Sequence, residues 1–303
     1  MPARTEGPRE SVTAWMTESG SDASCAAPGL PFYTDPMKID DYQLLPGKRV
    51  RLDRFDPDDT SLVPGGKKDG ERKSLRLAER LDNLQERLYA QHRHKLLIVL
   101  QGMDSSGKDG AIRHVVAAFN PQGVRIKSFK KPTQDELDHD YLWRAHAAVP
   151  AAGEVVVFNR SHYEDVLVAR VHKLVPKAVW RHRFRQINDF ERMLTESGTL
   201  ILKFFLHISK EEQGERLEKR IQDPSKRWKY QHGDVEERKL WSEYRVAYED
   251  ALTKTTTDWA PWHVVPANAK WYRNYVIGSV VADALGRLKM RYPEPDLSTE
   301  VID

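Results

Sequence analysis

The residues best suited to chemistry stand together in one short stretch, Gln-Gly-Met-Asp-Ser-Ser-Gly-Lys-Asp-Gly, from Gln101 to Gly110. Gly102, Gly107 and Lys108 keep the spacing G-x-x-x-x-G-K-S/T of a loop that cradles phosphate groups. In such a loop, backbone N–H groups and the start of the next helix bind phosphate oxygens, and the lysine neutralises terminal phosphate charge. Gly102, Ser105, Ser106, Gly107, Lys108 and Asp109 are therefore the expected phosphate-binding segment. Two acids break the pattern. Asp109 stands where a Ser or Thr hydroxyl would meet Mg²⁺, and Asp104 sits inside the loop. Carboxylates beside phosphates repel them unless a cation lies between. Asp104 is thus read as a metal ligand or a base, against the plainer alternative of an Asp that bonds to its own turn.

A second stretch, "VVVFNRSHYEDVLV", extends the puzzle. In phosphate-loop enzymes an apolar strand often ends in an Asp that reaches Mg²⁺. Here the strand ends in Asn159, so a metal must rely on another acid, and Asp104 is the nearest candidate. The third stretch runs from Arg216 to Lys229. It holds Arg216, Lys219, Arg220, Lys226, Arg227 and Lys229 against only Glu218 and Asp223. Asp223-Pro224 interrupts its helical pattern. A basic helix, a break and more basic residues, over about 215–234, read as a lid that closes on phosphates and supplies cations to the transition state. His162, His172, His182 and His207 form no metal-ligand grouping, and no Ser-His-Asp order stands out.

These stretches need a scaffold, and the pattern around them gives one. Leu96 to Leu100 is a short apolar run before the glycine loop, and "GAIRHVVAAF" after it has helical spacing, so the loop joins a strand to a helix. Further strands are predicted at Val124 to Phe129, Glu154 to Arg160, Leu200 to Ile208 and His263 to Ala267. Between the last residues of a loop at Asp56 to Lys73 and the first strand, Leu75, Leu77, Leu81, Leu84 and Leu88 mark a long amphipathic helix; "DELDHDYLWRAHAAV" predicts another. Strands alternating with helices imply an α/β fold, a parallel β-sheet flanked by helices on both faces. Residues 1–30 read as a loose tail, and 31–303 as a single domain.

Bulk composition narrows the setting. With 303 residues the chain can bury a full core, and 48 basic against 45 acidic residues leave a net charge of only +3. That balance gives no reason to expect nucleic-acid binding. A single cysteine, Cys25, fits a reducing compartment. No apolar run reaches membrane-span length and the start has no apolar signal core, so the expected location is cytoplasmic, without a membrane partner.

With the loop, "FNRSHYEDVLV" and "DPSKRWK" together, the sequence resembles polyphosphate kinase family 2 from about Val50 to Tyr292. "GMDSSGKDG" is similar to that family's first motif, "PTQDELDHDYLWR" to the helix after its second strand and "RSHYEDV" to its second motif. The resemblance implies a phosphate-loop kinase fold with a helical lid, laid out like thymidylate kinases. It also implies reversible phosphoryl transfer between inorganic polyphosphate and nucleotides, with Mg²⁺ or Mn²⁺, in a dimer or tetramer. By position, Asp104 and Lys108 become the loop's catalytic acid and lysine, Arg160 the phosphate-binding arginine after the third strand and Arg220 a catalytic lid arginine. Lys226, Arg227 and Lys229 fall in the lid motif as polyphosphate contacts, while Asn159, Arg160 and Glu164 fall at the nucleotide acceptor.

Two departures matter. Asn159 replaces an Asp common in the family, and "RSHYED" replaces the commoner "RSWYNR". The latter resembles a subgroup that takes AMP to ADP and ADP to ATP. Glu164 would lie one helical turn past Arg160, where it could hold a second Mg²⁺ and let the site accept a mono- or a diphosphate. The rival readings are an ATP-dependent nucleoside monophosphate kinase, which shares loop and lid, and a nucleotide-binding switch without turnover, which would not need the dense lid cations.

Overall fold

The predicted alternation of strands and helices is realised in a computed structural model, which describes residues 39–225, 227–229 and 233–294. The expected tail over 1–30, Cys25 and Lys226 lie outside the described residues, as does the side chain of Lys229. All five predicted strands form: β1 (Lys95–Gln101), β2 (Val124–Ser128), β3 (Val155–Asn159), β4 (Thr199–His207) and β5 (Trp262–Pro266). They make one parallel sheet in the order β2-β3-β1-β4-β5. Leu97 of β1 faces Val156 of β3 on one side and Ile201 of β4 on the other. Leu96 to Leu100 are at most 2% exposed, because a central strand is covered on both faces and has no polar side to show.

Ten α-helices and five short 3-10 turns complete the described residues. One face of the sheet carries α1 (Gly66–Gln91), α2 (Lys108–Val116) and α10 (Lys270–Arg287). The other carries α5 (Val168–Val171), α6 (Lys177–Glu196) and α9 (Trp241–Thr255). The crossover from β2 to β3 holds α3 (Gln134–Asp138) and α4 (Trp143–His146). The basic stretch between β4 and β5 forms α7 (Lys210–Gln222) and α8 (Gly233–Lys239).

Three local expectations need correction. The loop predicted over Asp56 to Lys73 ends at Gly65, and α1 begins at Gly66. Its first two turns are charged, so they show no apolar stripe, yet Lys, Glu and Arg are good helix formers. Leu75 is 71% exposed, whereas Leu81, Leu84 and Leu88 are buried. The buried three are spaced three and four residues apart, while Leu75 lies about 200° around the helix from Leu77 and so faces away. The helix predicted over "DELDHDYLWRAHAAV" is two short helices. Thr133 and Glu136 form a reciprocal cap at the start of α3, and Asp140 accepts from the Leu142 N–H at 2.9 Å, a local turn that competes with helix continuation.

The chain leaves β1 between its neighbours β3 and β4, where the direction of winding across the sheet reverses. In open parallel sheets the crevice outside the strand ends at such a point is where ligands bind. The glycine loop lies there.

Candidate active site

Gly102 leaves β1 with φ +154°, and a Cβ there would lie 2.8 Å from both the Leu206 carbonyl and Ser106 Oγ. Gly107, at φ +96°, caps α2, and a Cβ there would lie 2.0 Å from Arg273 Nη1. Both positions require glycine, which is the physical content of the spacing. Lys108 is buried and folds back over its own loop, donating from Nζ to the carbonyls of Gly102 at 2.7 Å and Met103 at 3.1 Å. Burial, reinforced by the charge of Arg160 and opposed by Asp104, Glu164 and Asp109, pushes its amine pKa down to about 8.

Opposite the lysine, Arg160 follows β3 in the left-handed region at φ 59°. Its Nη2 donates to Asp104 Oδ1 at 2.7 Å and its Nη1 to Glu164 Oε2 at 3.4 Å. Burial alone would lower its pKa, but Glu164 and Asp104 outweigh that and hold the guanidinium firmly charged. Glu164 sits in a single 3-10 turn over His162–Asp165 rather than an α-helix, yet still reaches Arg160. Gln101 Nε2 donates to its Oε1 at 3.1 Å. Burial raises the pKa of its carboxyl above the usual range, against the pull of Arg160, Gln101 and Lys108. Asp104, Arg160, Glu164 and Lys108 thus meet as one cluster.

The missing hydroxyl at 109 and the missing carboxylate at 159 turn out to be joined in a single contact. Asn159 Nδ2 donates to Asp109 Oδ1 at 2.8 Å, linking the end of β3 to the start of α2. Asn159 therefore faces Asp109 and does not line the pocket that Arg160 and Glu164 share. That open pocket is lined on the loop side by Gly102, Met103 and Asp104. Its walls are Val168 of α5, Gln213 of α7, Glu237 of α8 and Trp241, Tyr244 and Tyr248 of α9.

The basic arm contacts the loop at two points, one helical turn apart. Arg216 is 9% exposed and donates to the carbonyls of Ser105 and Ser106, both at 2.9 Å, and to those of Ala267 at 2.6 Å and Asn268 at 3.0 Å. Arg220 Nη2 donates to Ser105 Oγ at 3.0 Å, and its Nη1 to Asp234 Oδ2 at 3.2 Å. The helix breaks at Asp223-Pro224 as expected. Arg227 turns back to the Ile221 carbonyl at 2.7 Å and is not brought to the loop.

Sequence reasoning missed Gln101, the Gln213 side chain that donates to the Asp104 carbonyl at 3.0 Å, and the aromatic wall on α9. Gln101 left a trace as the one polar residue closing an apolar strand beside the first glycine. The α9 aromatics have helical spacing and read as core. Among the described residues no three His, Cys, Asp or Glu converge as a metal site. Two carboxylates, Asp104 and Glu164, do flank the place where Arg160 lies. Mg²⁺ commonly takes one or two carboxylates and completes its shell with water and substrate phosphates, so this donor set fits a divalent cation shared with substrate. No described helix is long and apolar enough to cross a membrane.

A parallel sheet with a phosphate loop after its central strand and a basic arm against that loop defines an α/β phosphate-loop kinase fold. The chain belongs to the family Polyphosphate kinase 2 (PPK2), which it matches over residues 65–293. It is 54% identical over 261 residues to the "AMP/ADP-polyphosphate phosphotransferase" of Meiothermus ruber, covering 86% of this chain and 98% of that one. It is 46% identical to the "ADP-polyphosphate phosphotransferase" of Rhodopseudomonas palustris, over 71% of this chain and 79% of the relative. The crystal structure of polyphosphate kinase 2 from Arthrobacter aurescens TC1 superposes with a TM-score of 0.82 at 47% identity, covering 84% of this chain and 91% of that one.

Proposed function

We propose that this chain transfers the terminal phosphoryl group of inorganic polyphosphate to AMP and to ADP, giving ADP and then ATP, reversibly. The observation that carries this is that Lys108, Asp104, Arg160 and Glu164 meet as one charged cluster, the last three lining the pocket walled by α9. An acceptor phosphate oxygen attacks the terminal phosphorus of polyphosphate. The bridging P–O bond breaks, and the leaving polyphosphate is one unit shorter. Such a transfer needs positioning and charge neutralisation more than covalent help.

Lys108 and the loop N–H groups hold the transferring phosphate. Arg160 exchanges its carboxylate partners for acceptor phosphate oxygens, and Arg220 closes from α7. Asp104 and Glu164 would hold a divalent cation, Mg²⁺ or Mn²⁺, which would supply charge neutralisation to the phosphates. Glu164 is the residue that lets the pocket take either a mono- or a diphosphate. Arg227, Lys226 and Lys229 of the basic stretch contact the polyphosphate chain. The enzyme works in the cytoplasm as a homo-oligomer, with a kinase domain following a tail over 1–30.

The test is to incubate the protein with AMP, polyphosphate and Mg²⁺ in the absence of ATP, and to separate AMP, ADP and ATP by chromatography. ADP is expected first and ATP later. Untouched AMP, or a halt at ADP, would contradict the dual-acceptor reading, and no reaction until ATP is added would favour an ATP-dependent monophosphate kinase.

A further inference from the structure

The turn that carries Glu164 has an inward half. His162 and Tyr163 are fully buried and point into the core, while Arg160 and Glu164 face the pocket. Beneath the turn lies a sealed ion pair. Lys203, in the middle of β4, and Glu191, on α6, are both 0% exposed and meet at 2.6 Å. Lys203 Nζ spends its three protons on Glu191 Oε2 at 2.6 Å, the Tyr163 hydroxyl at 2.9 Å and the Thr255 carbonyl at 2.7 Å. The Tyr163 hydroxyl in turn donates to Glu191 Oε1 at 2.8 Å, and His162 Nε2 lies 3.4 Å from the same oxygen. Two successive residues of the turn are thus gripped from below.

A buried ion pair is a poor device for stability alone, because apolar residues of similar volume often serve as well or better. Position 203 stands within the apolar run Leu-Ile-Leu-Lys-Phe-Phe-Leu, where such a residue would suit the strand. What the pair supplies is direction. Apolar packing of Tyr163 on Trp262, with ring centroids 4.8 Å apart, leaves the ring free to slide; hydrogen bonds to two fixed charges do not. The path to the pocket is short. Tyr163 N–H donates to Ser161 Oγ at 3.2 Å, Glu164 N–H to the Ser161 carbonyl at 3.1 Å, and Gln101 Nε2 to Ser161 Oγ at 3.1 Å. Arg160, next to Ser161, holds a left-handed backbone that a non-glycine residue adopts only when its surroundings impose it.

We propose that Lys203 and Glu191 are positioning residues for phosphoryl transfer: acting through Tyr163 and His162, they fix the placement of Arg160 and Glu164 against the loop. The proposal rests on the acceptor-side reading of Arg160 and Glu164 given above. Its test uses Tyr163→Phe, which keeps the ring and removes the hydroxyl, and the paired replacement Lys203→Met with Glu191→Leu, which removes both charges together. Each is measured for thermal midpoint, for kcat, and for KM toward ADP and toward polyphosphate.

Both are expected to stay folded with kcat lowered by roughly tenfold or more, the scale on which sub-ångström to 1 Å misplacement acts. KM for polyphosphate should stay within about twofold, since the turn does not carry the loop's lysine. Adding Tyr163→Phe to Arg160→Met should cost clearly less than Tyr163→Phe costs in the wild type, as expected when one residue acts in part through the other. Wild-type kcat in folded Tyr163→Phe and in the folded pair overturns the proposal, and so does a full additional loss on top of Arg160→Met. Arg160→Met alone separates the two readings: if it retains activity, the acceptor-side reading itself is wrong and this proposal falls with it.

Discussion

Arg160 and Lys203 are both cations held by carboxylates, one above and one below the same short turn, and they differ in what else can reach them. Arg160, Asp104 and Glu164 have side chains 40%, 33% and 14% exposed, and they open on the pocket. Lys203 and Glu191 are 0% exposed and closed in by Tyr163, Trp262 and Thr255. An ion pair at a solvent-facing edge contributes little to stability and can trade partners. A sealed pair cannot trade, and half of it is a liability. One cluster is therefore built to be rearranged by anionic ligands, and the other to stay still while that happens.

The comparison is broken most severely by splitting the sealed pair. Lys203→Met alone should destabilise the fold by about 3–5 kcal/mol, because Glu191 is left charged and buried without its main partner. The loss is to be read from denaturant unfolding; a change below about 1 kcal/mol would mean that solvent already reaches the pair. Arg160→Met is the mirror case. Folding stability should change by about 1 kcal/mol or less, while kcat/KM falls by roughly 10²–10³. Should the unfolding midpoint drop steeply instead, the open cluster would be a structural one.

A smaller, pH-dependent effect sharpens the contrast at the loop. Lys108 is pushed down to about 8 from an ordinary 10.5, by burial first and then by Arg160. The unfolded chain therefore binds more protons between these values. Stability of the ligand-free protein should rise as pH climbs from about 8 to 10.5 and be lost again as it falls, by up to about 3 kcal/mol. Bound polyphosphate supplies the missing counter-charge, so it should flatten that slope. Thermal midpoints across the range, with and without polyphosphate, check both statements. At the lower end, Asp104→Asn should cut activity at least tenfold more than Asp109→Asn, since only Asp104 faces Arg160 across the pocket. Raising Mg²⁺ should recover part of the Asp104→Asn loss. Smallest of all, Arg227→Ala should leave kcat within about twofold, because its guanidinium is turned to the Ile221 carbonyl, and should show mainly as a weaker, more salt-sensitive KM for polyphosphate.

Four of the five strands were legible in the sequence because each is a short apolar run buried on both faces, which leaves no ambiguity of phase; β2, Val-Arg-Ile-Lys-Ser at the sheet edge, is largely exposed and was legible only by its alternation. Helix ends were less legible. The start of α1 is set by Gly65 and by charged residues with no stripe to read, and the α3–α4 break by a single Asp140 turn. Within the site, what could be read was local: Gly102 to Lys108 announce themselves by spacing, and Arg160 and Glu164 came from the resemblance of "RSHYEDV" to a family motif. Gln213 and Arg216 act on loop carbonyls 109 to 111 positions away in the chain, so no local pattern could pair them. Lys203 was invisible for another reason. One lysine inside an apolar strand has no partner in sequence, and only the packing of α6 on β4 supplies Glu191.

The grip of Arg216 on the loop has a consequence for polarity. A peptide unit is planar and, among the described residues, trans, so its N–H and C=O point in opposite directions. With the Ser106 carbonyl drawn to Arg216, the Gly107 N–H must aim at the other side of the loop. The guanidinium thus orients a dipole on a surface it does not itself face. Lysine at 216 would keep the charge but has no planar fork with which to hold the carbonyls of Ser105, Ser106, Ala267 and Asn268 at once. The field from the cation would survive that exchange, and the aim of the amide would not.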